Sequence, residues 1–485
     1  MGNALARPQR IPYNPPVYFG RIFMTKGEWR TCFAAMDLSR GGKRKMTPIG
    51  KISRGILLGA ALLAGGADLG RSMAAQGTTT QAPKYTLEEY NAFTAANTQA
   101  VPEQKIKMLD DFVAKYPKSA LLVYVYNAYL TTYTGLKDYP KAIDAVDKLL
   151  GLGDPLDPLS QFQAKLARAQ DFLAGASMKE LNTPQQLNAA RESARQALKD
   201  IDTLKKPDAT SDADWDKVKK QSSGIFTQVI ATTSVALKDI PSTVAAYKSM
   251  LALDPTDAGT YSRLGVAYLS MAPPQTMDGL WALARSISLK VQNEPQIRAY
   301  LRAQVLKYQG NVVQCDNLLD DEVNQIVALA AGSADRPASF TLISGDDITK
   351  AQSDTTNFIP YLREGGDHGK LMWLATCGLD YPEIVTKLIA LDAPDGGQMV
   401  MHTFTGTTPD ETKDGTVADM EVKMDGTQPD IKRIQINDEL RFGATLKGYD
   451  QNPFMLHWEK GKVNPEDIPA ETGKKPAPKK KGAGK

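Results

Sequence analysis

The chain of 485 residues is 42% hydrophobic and 23% charged, enough for two or three domains with ample core. Its formal net charge of +3 is unevenly spread. Residues 1–75 carry +9 and residues 470–485 carry +5, which leaves −11 on residues 76–469. An acidic body between two basic ends argues against a nucleic-acid-binding body and for a soluble acidic one.

The N-terminal region reads as a targeting segment. Ile56–Ala67 is an apolar run of 12 residues preceded by Lys51 and Arg54. It is too short to span a membrane comfortably and suits the apolar stretch of a secretory signal. Ser72-Met73-Ala74 supplies small residues where cleavage before Ala75 requires them. The expectation is a signal peptide over about residues 46–74 and a mature chain that is periplasmic or extracellular, without a transmembrane span. An uncleaved anchor is the alternative. Residues 1–45 show no periodicity, so Met46 is expected to be the start. Beyond the signal only Cys315 and Cys377 remain; they either pair or stay as two lone buried thiols.

Residues 76–84 form a Thr/Pro/Gly linker, and from Tyr85 to about residue 332 the pattern is helical. Leu109, Phe112 and Pro117 mark one helix, and Tyr126, Tyr129, Leu130 and Tyr133 make the apolar stripe of the next. Ala142, Val146 and Leu149 follow at spacings of 4 and 3, which Ala190, Ala194 and Ala197 repeat. Between those two sets Leu159–Ala174 supplies another helix. Trp215–Leu237 is a long one, expected to start at Ser211 or Asp212. Gln296–Tyr308 and Asp316–Ala331 close the series, giving about six helical pairs.

The stretch Thr243–Tyr268 sets the register for all of them. Tyr247, Met250 and Pro255, then Tyr261, Leu264, Gly265 and Tyr268, stand at the spacing of a 34-residue helical hairpin. Gly265 offers no Cβ, so a second helix can approach closely, and Asp254-Pro255 ends the preceding one. These residues resemble the tetratricopeptide repeat family. The resemblance implies a mainly α protein whose helical-hairpin solenoid over residues 85–332 binds a protein or peptide and is no enzyme.

In that family the ligand groove is lined by one face of each first helix, the face turned away from its own second helix. Carried over, this face gives Tyr124, Asn127 and Thr131, then Gln228, Thr232 and Val235, then Ser262, Val266 and Leu269. None is charged. The groove is therefore expected to take a neutral, partly apolar segment, and not a terminal carboxylate, which wants charge-assisted donors. An array that is purely architectural, or filled by the protein's own linker, is the competing reading.

After residue 332 the character changes. Residues 333–380 read as a mixed connecting segment with a strand at Phe340–Ile343 and a short apolar helix at Lys370–Cys377. Strands are expected at Glu383–Leu391, Gln398–Phe404, Val417–Met424, Leu440–Tyr449 and Phe454–Lys460, with Asp450–Pro453 as a turn. Met420, Val422 and Met424 alternate with Glu421 and Lys423, the mark of a half-buried strand. Residues 381–463 thus resemble a small five-stranded barrel of the OB type, an α+β or β-barrel C-terminal domain. Alternation places most of Phe442, Tyr449, Phe454 and Trp458 in its core, leaving few rings for stacking bases. Residues 464–485 form a Lys/Pro-rich tail, a solubilising end or a weak polyanion contact.

Catalytic and metal chemistry finds little footing. His368, His402 and His457 share no local spacing with Cys377 or a carboxylate that would mark a metal cage or a nucleophile–base pair. Glu364–Asp367 lacks the Lys-Ser/Thr of a phosphate loop, and Gly345-Asp346-Asp347 lacks the alternating carboxylates of a calcium loop. No cofactor and no specific nucleic acid are expected. The leading reading is an exported non-enzymatic scaffold. The alternatives are an envelope carbohydrate- or polyanion-binding protein, or a hydrolytic enzyme with its site in the C-terminal domain.

Overall fold

In the computed structural model, helices in a repeat-like arrangement are followed by a closed five-stranded barrel. It describes residues 84–354, 358–393, 397–406, 409–426 and 428–470. The expected signal, the linker up to residue 83 and the tail from residue 471 on lie outside the described residues. Residues 464–470, expected as the start of the tail, are described, and Asp467 there accepts hydrogen bonds from Arg441. Two compact units divide between Leu253 and Asp254.

The first unit holds α1 (Leu87–Thr98), α2 (Pro102–Lys115), α3 (Leu122–Leu136), α4 (Tyr139–Leu150), α5 (Pro158–Gly175), α6 (Pro184–Asp200), α7 (Asp212–Ala236) and α8 (Ile240–Leu253). Successive helices pack on one another, as short connections between antiparallel neighbours dictate. Their starts are written in the sequence. Thr86 and Glu89 form a capping box, and Asp157, Thr183 and Ser211 each cap a helix with a side-chain oxygen. The stripe residues Leu109, Phe112, Ala142, Val146 and Leu149 share one core, and Ala190, Ala194 and Ala197 join Phe162, Phe172 and Phe226 in another.

One buried group in this unit lacks an ionic partner among the described residues. Asp171 of α5 is 4% exposed and accepts a hydrogen bond from Thr134 Oγ1 of α3 at 2.9 Å. Burial pushes its carboxyl up to about 6, the Thr134 hydroxyl opposing that shift. The folded value lies above the unfolded one, so the native state holds the proton more tightly. This group therefore favours folding most below about pH 4, and that contribution is lost as pH rises toward 6. Asp171→Asn is expected to raise the melting midpoint at pH 7.5 and to change it little at pH 4. An equal shift at both pH values would contradict a charged, unpaired Asp171.

The second unit begins with α9 (Ala258–Leu269), α10 (Thr276–Ser288), α11 (Glu294–Tyr308) and α12 (Asp316–Gly332). Then come α13 (Gly345–Ser353), α14 (Phe358–Glu364) and α15 (Gly366–Thr376). Gly265 and Gly279 face each other where α9 meets α10. A Cβ at Gly265 would lie 2.7 Å from Leu283 Cγ and 2.9 Å from the Gly279 carbonyl oxygen. One core runs from Leu280, Leu283, Leu301 and Val323 of these helices into the barrel at Leu388, Val422 and Leu456. The last two helical pairs thus share apolar burial with the barrel.

The barrel strands are β1 (Asp380–Asp392), β2 (Val400–Phe404), β3 (Met420–Met424), β4 (Glu439–Gln451) and β5 (Phe454–Val463), with a short helix α16 (Pro409–Asp414) between β2 and β3. β1 pairs antiparallel with both β2 and β4, β2 with β3, and β4 with β5. A parallel pairing of β3 with β5 closes the ring. Met401, Met420, Val422, Phe442, Leu446 and Trp458 point inward and are almost completely buried, so side chains fill the interior.

Two expectations are corrected or resolved here. Phe340–Ile343 is not a strand: among the described residues no segment ladders with it, and its backbone is used otherwise. Arg336 donates to the Phe340 carbonyl at 3.2 Å, and the Phe340 ring packs edge-on to Trp281 at 5.0 Å. Cys315 and Cys377, left open above, form a disulfide with Cα atoms 5.9 Å apart. It ties the N-cap of α12 to the C-cap of α15.

Candidate partner-binding surfaces

On α3, Tyr124, Asn127 and Thr131 share one face and stay exposed or partly exposed. The Tyr124 ring lies 6.1 Å from Phe93. Asn127 Nδ2 donates to the Val123 carbonyl at 2.9 Å, and Thr131 Oγ1 donates to the Asn127 carbonyl at 3.0 Å. Two of the three polar groups are thus already turned onto their own helix. On α7, Gln228 is exposed while Thr232 and Val235 are partly buried. The two patches stand on separate helices, with α4, α5 and α6 between them in chain order.

In the second unit Ser262 Oγ donates to the Gly259 carbonyl at 2.9 Å. Val266 and Leu269 pack against that unit's core. Leu269 departs from the expected face: a Cβ on Gly279 would come within 2.6 Å of Leu269 Cγ, so Leu269 lies on its own second helix. The space left by the missing Cβ of Gly279 is filled by this leucine.

A cleft of about 370 Å³ opens elsewhere on the first unit, between α6, α7 and α8. Arg195 and Leu198 of α6 form one wall, Ser223, Thr227 and Ile230 of α7 the base, and Ser242 to Leu253 of α8 the other wall. The α7 residues in it are turned roughly 140° round the helix from Gln228, Thr232 and Val235. Sequence reasoning missed this site. Its one signal was Arg195, a charged residue directly after the core position Ala194.

On the barrel, strand register makes pairs that local spacing could not show. His402 of β2 lies beside Glu421 of β3, which lies beside His457 of β5. His402 Nε2 is 3.0 Å from Asp392, and His457 Nε2 is 2.9 Å from Asp450. All are outward-facing and at least partly solvated, the setting in which ion pairs contribute little. His368 stands apart on α15, 3.5 Å from Glu364. A different ion pair pins α14 to the barrel. Arg363 bonds Asp419, lies over the Phe454 ring at 5.0 Å, and donates to the Thr405 carbonyl. Burial pushes the Asp419 carboxyl up to about 6, opposed by the Thr405 amide and by Arg363. Phe442 and Trp458 are 1% exposed, so they are core residues and not stacking platforms.

Among the described residues no group of His, Cys, Asp and Glu could hold a metal ion, and no helix is long and apolar enough to cross a membrane. No family model matches the chain, and no curated protein matches it. Among solved structures the chain is similar to the C-terminal part of a TPR repeat-containing protein from Cytophaga hutchinsonii. The identity is 12%, over 51% of this chain and 95% of that one, with a TM-score of 0.23.

Proposed function

We propose that the chain is an exported, non-enzymatic scaffold that holds a protein or peptide segment on its helical array, with an OB-type barrel as its C-terminal domain. The observation that carries this reading is the first-helix face. Tyr124, Asn127, Thr131 and Gln228 remain accessible on packed, rigid helices and carry no charge. A neutral segment can lie there without stranding an ion. The filled barrel interior supports a packing domain over a hydrolytic one. The Cys315–Cys377 disulfide supports export, since such bonds persist in oxidising compartments.

Capture of partners from the cell envelope tests the reading. Asn127→Glu with Gln228→Glu should weaken capture while the melting curve stays that of the wild type. Undiminished capture by the double variant would remove this face as the binding site. The mass of the native protein checks export in the same preparation: it should begin near Ala75, and peptides from residues 1–45 would overturn it.

A further inference from the structure

Partly buried cations in the first unit follow a rule, and one residue breaks it. Lys165 pairs with Asp200 at 2.6 Å, Arg168 with Asp147 at 2.6 Å, and Arg191 with Asp239 at 2.9 Å. Lys219 pairs with Asp216, and Lys105 donates to Asn97. Arg195 is partly buried too, one turn beyond Arg191 on α6. Among the described residues it meets no carboxylate and no amide oxygen within bonding distance. Burying part of a guanidinium without a counter-ion is unfavourable, because hydration is lost and nothing replaces it.

Arg195 stands in the wall of the cleft between α6, α7 and α8. Leu198, Ile230 and Leu253 give that cleft its apolar surface, while Ser223 and Ser249 give hydroxyls. On α8 the lining residues Ser242, Ala245, Ala246 and Ser249 are all small, so a second backbone can approach the helix closely. A volume of about 370 Å³ is at the low end for a binding site, enough for a few side chains and too little for a domain.

We infer that this cleft binds an apolar peptide segment bearing one carboxylate, with Arg195 as the counter-ion for its acidic side chain. A bare inorganic anion would satisfy Arg195 and leave Leu198, Ile230 and Leu253 wet. An uncharged segment would cover the apolar wall and leave the guanidinium unpaired in a drier setting. Only the combined ligand satisfies both. Arginine suits the task because its planar fork can take a carboxylate through two parallel bonds. The inference rests on the scaffold reading but uses α6, α8 and a different side of α7, a surface distinct from the first-helix face proposed above.

The test uses the mature chain and a defined panel of capped helical Ala/Leu peptides, each with a single Glu at a different position, beside Gln isosteres and acetate. Binding is read by titration calorimetry. Glu peptides should bind, and Arg195→Gln should weaken them by about tenfold or more, as loss of a charge-assisted bond predicts. Gln isosteres should bind the wild type as weakly as Glu peptides bind Arg195→Gln. Ser249→Leu fills the cleft from the opposite wall and should abolish binding while Arg195 is intact. Melting curves of both variants serve as the folding control.

Equal affinity of Glu and Gln peptides, or of wild type and Arg195→Gln, would overturn the inference. So would binding of acetate alone, or no peptide binding at millimolar concentration. Peptide binding lost in Asn127→Glu with Gln228→Glu but retained in Arg195→Gln would leave the scaffold reading standing and remove the cleft.

Discussion

Replacing Gly265 with leucine should lower the stability of the second unit by roughly 1–3 kcal/mol or more. The argument is steric and reciprocal. A Cβ at Gly265 would meet the Gly279 carbonyl oxygen at 2.9 Å and the Leu283 amide nitrogen at 3.0 Å. Both are backbone atoms of α10, which cannot swing aside as a side-chain tip can. The opposing Gly279 is equally constrained, with the Gly265 carbonyl oxygen 3.1 Å from where its Cβ would be. Relief would require α9 and α10 to separate, which would open the packing of Leu280 and Leu283 beneath them. Gly224→Ala is the internal contrast. That glycine lies within α7, and a Cβ there meets nothing within 4 Å. Alanine should stabilise the helix by about 0.4–1 kcal/mol. Denaturation midpoints should move in opposite directions for the two variants. A Gly265→Leu midpoint equal to the wild type would contradict the register from which every repeat position was assigned.

That register was legible because it depends on residues close in sequence. Gly265, Leu264 and Tyr261 stand within one helix, and caps such as Ser211 act within one turn. The barrel strands were legible for the same reason, since alternation is local. Their ends were not. The first strand was expected from Glu383, yet β1 starts at Asp380 and includes Pro382. It tolerates the proline because pairing with β4 is interrupted there, between Tyr381 and Ile384. β5 likewise runs on to Val463 through Lys460, whose positive φ marks an irregularity in the ladder.

What depends on distant residues could not be read. Nothing in the sequence states that β3 lies parallel to β5, so the row of His402, Glu421 and His457 was invisible. Nor does helical periodicity say what a buried face packs against, so the core shared by α10–α12 and the barrel went unforeseen. The groove residues were assigned from the first-helix pattern alone. The cleft at Arg195 depends on three helices and emerged only once they were packed.

The disulfide carries the other large effect. Cys315 and Cys377 are separated by 62 residues, and both are almost fully buried. Closing a loop of that length removes unfolded-chain entropy equivalent to about 4 kcal/mol. The native ends are held well apart from the bond as well. Gln309 Nε2 donates to Glu322 at 2.7 Å, and Lys370 of α15 approaches the same carboxylate at 3.5 Å. The second of these contacts spans the same α12–α15 junction and the first ties α12 to the end of α11, so reduction should lower stability without releasing the fold outright. Cys315→Ala with Cys377→Ala should therefore shift the denaturant midpoint of the second unit downward by an amount equivalent to several kcal/mol. Reductant should shift the wild type to a similar extent and leave the double variant unmoved. Tryptophan fluorescence can follow the transition, because Trp281 and Trp458 are buried in that unit's core. A wild-type midpoint insensitive to reductant under unfolding conditions would show that the two sulfurs are not bonded, and would remove the support that the disulfide gives to export.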